Sequence, residues 1–244
     1  MHDGEILQIT AGKTASKPTV LVADQALPDG IDVCGDRMYW TNMGIPADND
    51  GSVLSAKLDG TDIKTVIAEG EVHTGKQLHI DQEAKKIYFC DREGLRVHRC
   101  NLDGSAHEII VQTGDWKSEP EKVKDQKHWP VGVTVSHRLN KVFWTQKGGP
   151  KSSEGRIFSA SVDLPKGSTA SNRQDIEVVQ HNLPECIDLE FDDESGVLFW
   201  TDRGELPLGN TLNRKQIIGE APSAEKQLGR QIVSTTLLAT PGKE

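Results

Sequence analysis

The chain has 244 residues, 35% of them hydrophobic, with 28 Lys and Arg set against 37 Asp and Glu. A formal net charge of −9 argues against a nucleic-acid or anionic-membrane surface. No run approaches the ~18 apolar residues of a membrane-spanning helix. Residues 1–5 lack the basic and apolar regions of a secretory signal. Cys34, Cys90, Cys100 and Cys186 show neither C-x-x-C spacing nor disulfide-framework density, and no N-x-S/T sequon occurs. These features predict a cytoplasmic protein with reduced thiols, no membrane partner and no nucleic-acid partner.

The first strand-like runs are residues 4–10 and 18–23, each alternating with period two. Four copies of a longer unit follow. An alternating run opens each copy, as in Leu78-His79-Ile80-Asp81 or Leu189-Glu190-Phe191-Asp192. A polar turn comes next, then an aromatic tetrapeptide, then a loop with glycine and a third strand-like run. The tetrapeptides are Tyr39-Trp40-Thr41-Asn42, Tyr88-Phe89-Cys90-Asp91, Phe143-Trp144-Thr145-Gln146 and Phe199-Trp200-Thr201-Asp202. Short strands recurring at this long period select a radial β-repeat over a helical solenoid.

The expected fold is therefore all-β: one β-propeller domain over residues 1–244, built of four-stranded antiparallel blades. The units predict blades at 30–68, 77–112, 132–180 and 187–235, their second strands centred on Trp40, Phe89, Trp144 and Trp200. Residues 4–23 read as the third and fourth strands of a further, partial blade. Asp59-Gly60 and Asp103-Gly104 mark tight turns that need a positive φ. Residues 115–128 form the longest insertion and read as a short helix over one face. Residues 151–154 and 219–227 read as surface loops. Four and a half blades leave an open edge. Three readings stay open: a partner chain covers it, the ring is smaller and irregular, or further residues complete it. A homodimer that closes the edge is the expectation carried forward.

Propeller geometry gathers the residues before each first strand and after each tetrapeptide at one mouth. The first set holds Asp29, Lys76, Gln77, His128, Trp129, Glu185 and Asp188, and the second Asn42, Met43, Asp91, Arg92, Gln146, Lys147, Asp202 and Arg203, with His73 beside them. Converging polar groups in a concave site define the default ligand pocket. Lys76 and Gln77 are the expected donors to a carbonyl or oxyanion, and Glu185 and Asp188 would orient a hydroxyl. His73 and Trp129 would form a stacking wall. The tetrapeptide aromatics and Cys90 read as core, with one ring of each pair packed between blades, and His79 reads as a core histidine. Dinucleotide, Walker A, nucleophile-elbow and zincin motifs are absent, so no cofactor is expected. Mixing of Lys76, Arg92 and Arg203 with the carboxylates argues against a bound metal.

The tetrapeptides and their frame resemble the YWTD repeats of propellers of the low-density-lipoprotein-receptor class B type. The resemblance covers nearly the whole chain and implies a six-bladed family. It further implies that Asp91 and Asp202 hydrogen-bond backbone, while the amides Asn42 and Gln146, which replace that aspartate, are freer to face a ligand. Tyr39–Gly44, Lys76–Gly94 and Asp188–Gly204 look like the intracellular fungal and microbial branch. That branch includes cofactor-free cyclases of secondary metabolism, hetero-Diels–Alder catalysts among them. The expected partner is then a small organic molecule. The alternative is a non-catalytic ligand- or protein-binding propeller module.

Overall fold

The computed structural model describes residues 4–10, 17–46, 48–150, 152–205 and 209–218. The partial blade is a hairpin of β1 (Gly4–Gln8) and β2 (Thr19–Gln25). Blade one is β3 (Pro28–Cys34), β4 (Arg37–Asn42), β5 (Gly51–Lys57) and β6 (Lys64–Val72). Blade two is β7 (Gly75–Asp81), β8 (Lys86–Asp91), β9 (Arg96–Asn101) and β10 (Glu108–Gln112). The insertion holds α1 (Pro120–Lys124) and a 3₁₀ turn at Gln126–His128. Blade three is β11 (Pro130–Ser136), β12 (Lys141–Gln146), β13 (Gly155–Ser161) and β14 (Glu177–Leu183). Blade four contributes β15 (Cys186–Asp192), β16 (Val197–Asp202) and β17 (Thr211–Gln216). Its expected fourth strand, the 219–227 loop and the edge that a second copy would close involve residues outside the described ones.

All strands pair antiparallel in sequence order, and each tetrapeptide lies on a second strand. The alternation of its two aromatics explains the cores. Tyr39 meets Phe89 between blades one and two, Tyr88 meets Trp144 between two and three, and Phe143 meets Trp200 between three and four. Successive side chains point to opposite faces of a strand. Both rings of the first three pairs are therefore buried, one on each side of the blade, rather than the single ring expected, while Phe199 of the fourth pair is half-buried. Each such burial contributes about 1.5–3 kcal/mol.

The tetrapeptide threonine ties blades together. Thr41 Oγ1 accepts from Gly30 N and donates to Lys76 O of the next blade. Thr145 Oγ1 likewise accepts from Gly132 N at 2.8 Å and donates to Ile187 O at 2.6 Å. Cys90 takes this place in blade two, its Sγ 3.4 Å from Gly132 O. Thr145→Val is expected to cost about 1–3 kcal/mol in chemical denaturation, because a buried amide loses its partner. An unchanged midpoint would refute that account.

The Asp-Gly turns also reach across blades. Gly60 and Gly104 have φ of +82° and +83°. A Cβ on Gly60 would collide with Leu21 O on β2, and one on Gly104 with Val66 O on β6. The equivalence places β2 as the outer strand of the partial blade, as the repeat frame predicts.

Candidate functional site

The four innermost strands β3, β7, β11 and β15 lie side by side, and each carries a register shift near its start. Such irregularities re-aim side chains. Here they follow Pro28, Gly75, Pro130 and Cys186. The positions two residues on are Gly30, Gln77, Gly132 and Asp188. A Cβ on Gly30 would strike the Gln77 backbone, and one on Gly132 the backbone of Ile187 and Asp188. Glycine in blades one and three thus lets the strands bearing Gln77 and Asp188 approach closely.

At the mouth, the Lys76 ammonium pairs with Asp29 and lies 3.3 Å from Met43 Sδ. Gln77 Nε2 donates to the other Asp29 oxygen at 3.1 Å. Burial, together with nearby Arg92, Arg203 and Lys147, pulls the Lys76 pKa down to about 8, against the opposing charge of Glu93. Arg92 is clasped by Glu93 at 2.7–2.8 Å. Glu185 Oε1 accepts from Lys147 Nζ at 2.8 Å and from Arg203 at 2.5 Å. Burial pushes the Glu185 pKa up, but these two cations outweigh it and the net shift is downward.

Trp129 sits among these cations, not beside an open face. The Arg92 guanidinium lies 4.8 Å and Lys147 Nζ 5.6 Å from its ring centroid. Such contacts stabilise the cations electrostatically. Its indole N–H donates to Val123 O at 2.7 Å, which moors α1 to the site. The stacking-wall role expected of Trp129 is therefore taken by the protein's own cations.

Asp29, Met43, Lys76, Gln77, Arg92, Trp129, Lys147, Glu185 and Arg203 converge through these contacts. Others are held elsewhere. His73 is buried, its ring edge-on to Trp116 with centroids 4.7 Å apart. His128 is half-buried and holds to its own loop, with Nδ1 3.2 Å from Thr113 O. The two amides are not freed for a ligand: Asn42 donates to Gln25 Oε1 at 3.3 Å and Gln146 to Lys127 O at 2.6 Å. Asp91 accepts from His73, Thr74 and Gly94 amides, and Asp202 from Glu185 and Gly204 amides. Sequence reasoning missed Glu93. Its signal was present: the loop after β8 reads Asp91-Arg92-Glu93-Gly94, one residue longer before its glycine than Gln146-Lys147-Gly148 or Asp202-Arg203-Gly204.

Below the mouth, a cavity of about 350 Å³ opens between the innermost strands, lined by Ile31, Gln77, His79, Val133, Asp188 and Glu190 among others. His79 belongs to this cavity, not to the core. Asp188 accepts from Leu189 N, and burial, with the neighbouring Glu190 charge, raises its pKa to about 6. Among the described residues no group of His, Cys, Asp and Glu is arranged to hold a metal ion. The four cysteine thiols are free and buried, and no helix among the described residues is long and apolar enough to cross a membrane.

No protein-family model matches the chain. It is 43% identical over 233 residues to "Low-density lipoprotein receptor-related protein 1" of Pyricularia oryzae, covering 91% of this chain and 74% of that protein. The blades, the tetrapeptides and this relationship together define the class: the chain belongs to the YWTD-type β-propeller family. It is also 51% identical over 193 residues to "3-hydroxyacyl-CoA dehydrogenase-like protein LAM1" of Cochliobolus heterostrophus. That match takes in 78% of this chain but only 40% of the Cochliobolus protein. Among solved structures, a chain of a nidogen/laminin complex superposes with a TM-score of 0.65 at 19% identity, covering 88% of this chain and 72% of its own length. A luciferin-regenerating enzyme gives 0.56 at 15% identity, covering 81% and 63%. At such identities these two establish the fold alone.

Proposed function

We propose that this propeller is a cytoplasmic, cofactor-free enzyme of secondary metabolism that binds a small organic molecule and promotes its cyclisation, in the manner of a hetero-Diels–Alder catalyst. One observation carries the reading. Lys76, half-buried and with a depressed pKa, stands beside Gln77 where the mouth meets a cavity of about 350 Å³. A cyclisation of this class needs shape, an apolar wall and hydrogen-bond donors, and it needs neither a nucleophile nor a redox group. Ile31 supplies apolar surface, and the inter-blade core residues Leu78, Val133 and Leu189 border the cavity. The dehydrogenase wording attached to the Cochliobolus protein is not adopted, since this chain has no dinucleotide-binding motif.

A thermal-shift screen against polyketide and terpenoid intermediates tests the proposal. Binding to the folded state raises the melting temperature. The rise is expected for at least one intermediate and is expected to vanish in a Lys76→Ala, Gln77→Ala double variant. Loss of a preorganised donor typically costs about 3 kcal/mol of barrier, so turnover should fall about a hundredfold. A screen without hits, or a double variant that behaves like the wild type, defeats the proposal.

A further inference from the structure

One layer of the central cavity is built from the residues opposite the first tetrapeptide aromatic: Asp32, His79, Thr134 and Glu190. Two of these have structural work. Asp32 Oδ2 accepts from Ile80 N of the next blade at 2.8 Å, and Thr134 Oγ1 accepts from Phe191 N at 3.2 Å. His79 and Glu190 are turned to each other instead. His79 Nδ1 lies 3.4 Å from Glu190 Oε2 and 3.5 Å from Thr134 Oγ1. Its Nε2 has no hydrogen-bond partner among the described residues. The His79 side chain is only 16% exposed, yet it lines the cavity.

We propose that His79 is the hydrogen-bond donor that activates a carbonyl oxygen of the ligand in the central cavity, with Glu190 as the positioning residue that holds its ring. The inference rests on the ligand-site reading above and names its ligand class. A carboxylate on one imidazole nitrogen fixes the ring and favours the charged form, leaving the other N–H to polarise an acceptor. Burial pulls the His79 pKa down, but Glu190, then Asp32 and Asp81, outweigh it and hold it above the ordinary value. Asp188 on β15 is the other ionisable group near the ring. These carboxylates disfavour an anionic ligand, and His79 in its charged form disfavours a cationic one. The class is therefore a neutral carbonyl compound. Gln77 stands two residues up the strand and lines the same cavity, about 7 Å away at 3.3 Å per residue, so one ligand reaches both.

The probe is 4-(dimethylamino)cinnamaldehyde, whose absorption moves to the red when its carbonyl oxygen is polarised. Wild-type protein is expected to bind it and shift it. His79→Gln is expected to abolish the shift, and Glu190→Gln, whose carboxylate is 64% exposed, to weaken probe binding about threefold and reduce the shift. NMR of ¹⁵N-histidine-labelled protein reads the pair without any ligand: the His79 pKa is expected above the ordinary value and is expected to fall in Glu190→Gln. An unshifted probe at saturation, failure of the probe to bind at millimolar concentration, or a shift retained in His79→Gln overturns the assignment. A His79 pKa indifferent to Glu190→Gln overturns the positioning role. Hits in the thermal-shift screen combined with an unshifted probe would sink this inference alone and leave the ligand site standing.

Discussion

Asp91→Asn is expected to cost about 3–5 kcal/mol of stability, the range for breaking a fully buried charge pair. The Asp91 side chain has no exposed surface. It accepts from the His73, Thr74 and Gly94 amides, and Arg96 donates to it at 2.6 and 3.0 Å. His98 Nε2 lies 3.5 Å away. An asparagine keeps the size but loses the charge, and its NH₂ would face the Arg96 guanidinium. Burial works to raise the Asp91 pKa; His98, Arg96 and the Thr74 amide outweigh it and hold the carboxyl well below the carboxylate range. The sign of the pH dependence follows. A carboxylate with a depressed folded pKa contributes stability above its unfolded value near 4, and that contribution is lost as the pH falls through the folded pKa. His98 adds to the acid sensitivity. Burial, the first cause, lowers its pKa to about 4 against the opposing pull of Asp91. The unfolded chain then binds more protons between about 6.5 and 4, so stability drops across that window. Urea denaturation at several pH values checks both statements. An Asp91→Asn protein as stable as the wild type at pH 7 would show that the carboxylate is not what holds this junction.

Glu185→Gln is the second change with a large expected effect, a loss of about 3 kcal/mol. Glu185 and Lys147 are each only 7% exposed at the side chain, whereas Arg203 is 65% exposed. Removing the carboxylate strands the Lys147 ammonium beside Trp129, while Arg203 simply returns to solvent. The double variant Glu185→Gln, Lys147→Met removes the stranded charge and is expected to recover most of the loss. Without recovery, the cost would have to come from lost packing and not from an unpaired charge. Glu185 thus combines a place in the candidate site with a structural duty, so an activity defect in Glu185→Gln has to be normalised to folded protein.

Fold and frame were readable because they depend on local pattern. Four aromatic tetrapeptides placed four second strands, and Asp59-Gly60 and Asp103-Gly104 placed the turns. Convergence at the mouth was readable too, since it follows from where strands begin and end. Individual side-chain duties were not. Asn42 and Gln146 were expected to be free because they lack the aspartate charge. Gln25 of the partial blade and the Lys127 carbonyl of the insertion use them instead, and both are distant in sequence.

The sequence by itself determined the repeat, the blade order and the aromatic cores, because alternation along a strand fixes which face each ring must bury. Only the tertiary structure decided the chemistry of the centre. His79 and Glu190 lie on strands from non-adjacent blades, and nothing in either local stretch records the other. Their meeting depends on how closely the innermost strands approach, and Gly30 and Gly132 permit that approach by presenting no Cβ to the neighbouring backbone. Trp129 shows the same limit. Its position in the chain marked it for the mouth, but only packing placed Arg92 and Lys147 over its ring, turning an apparent ligand platform into a support for the cations around it.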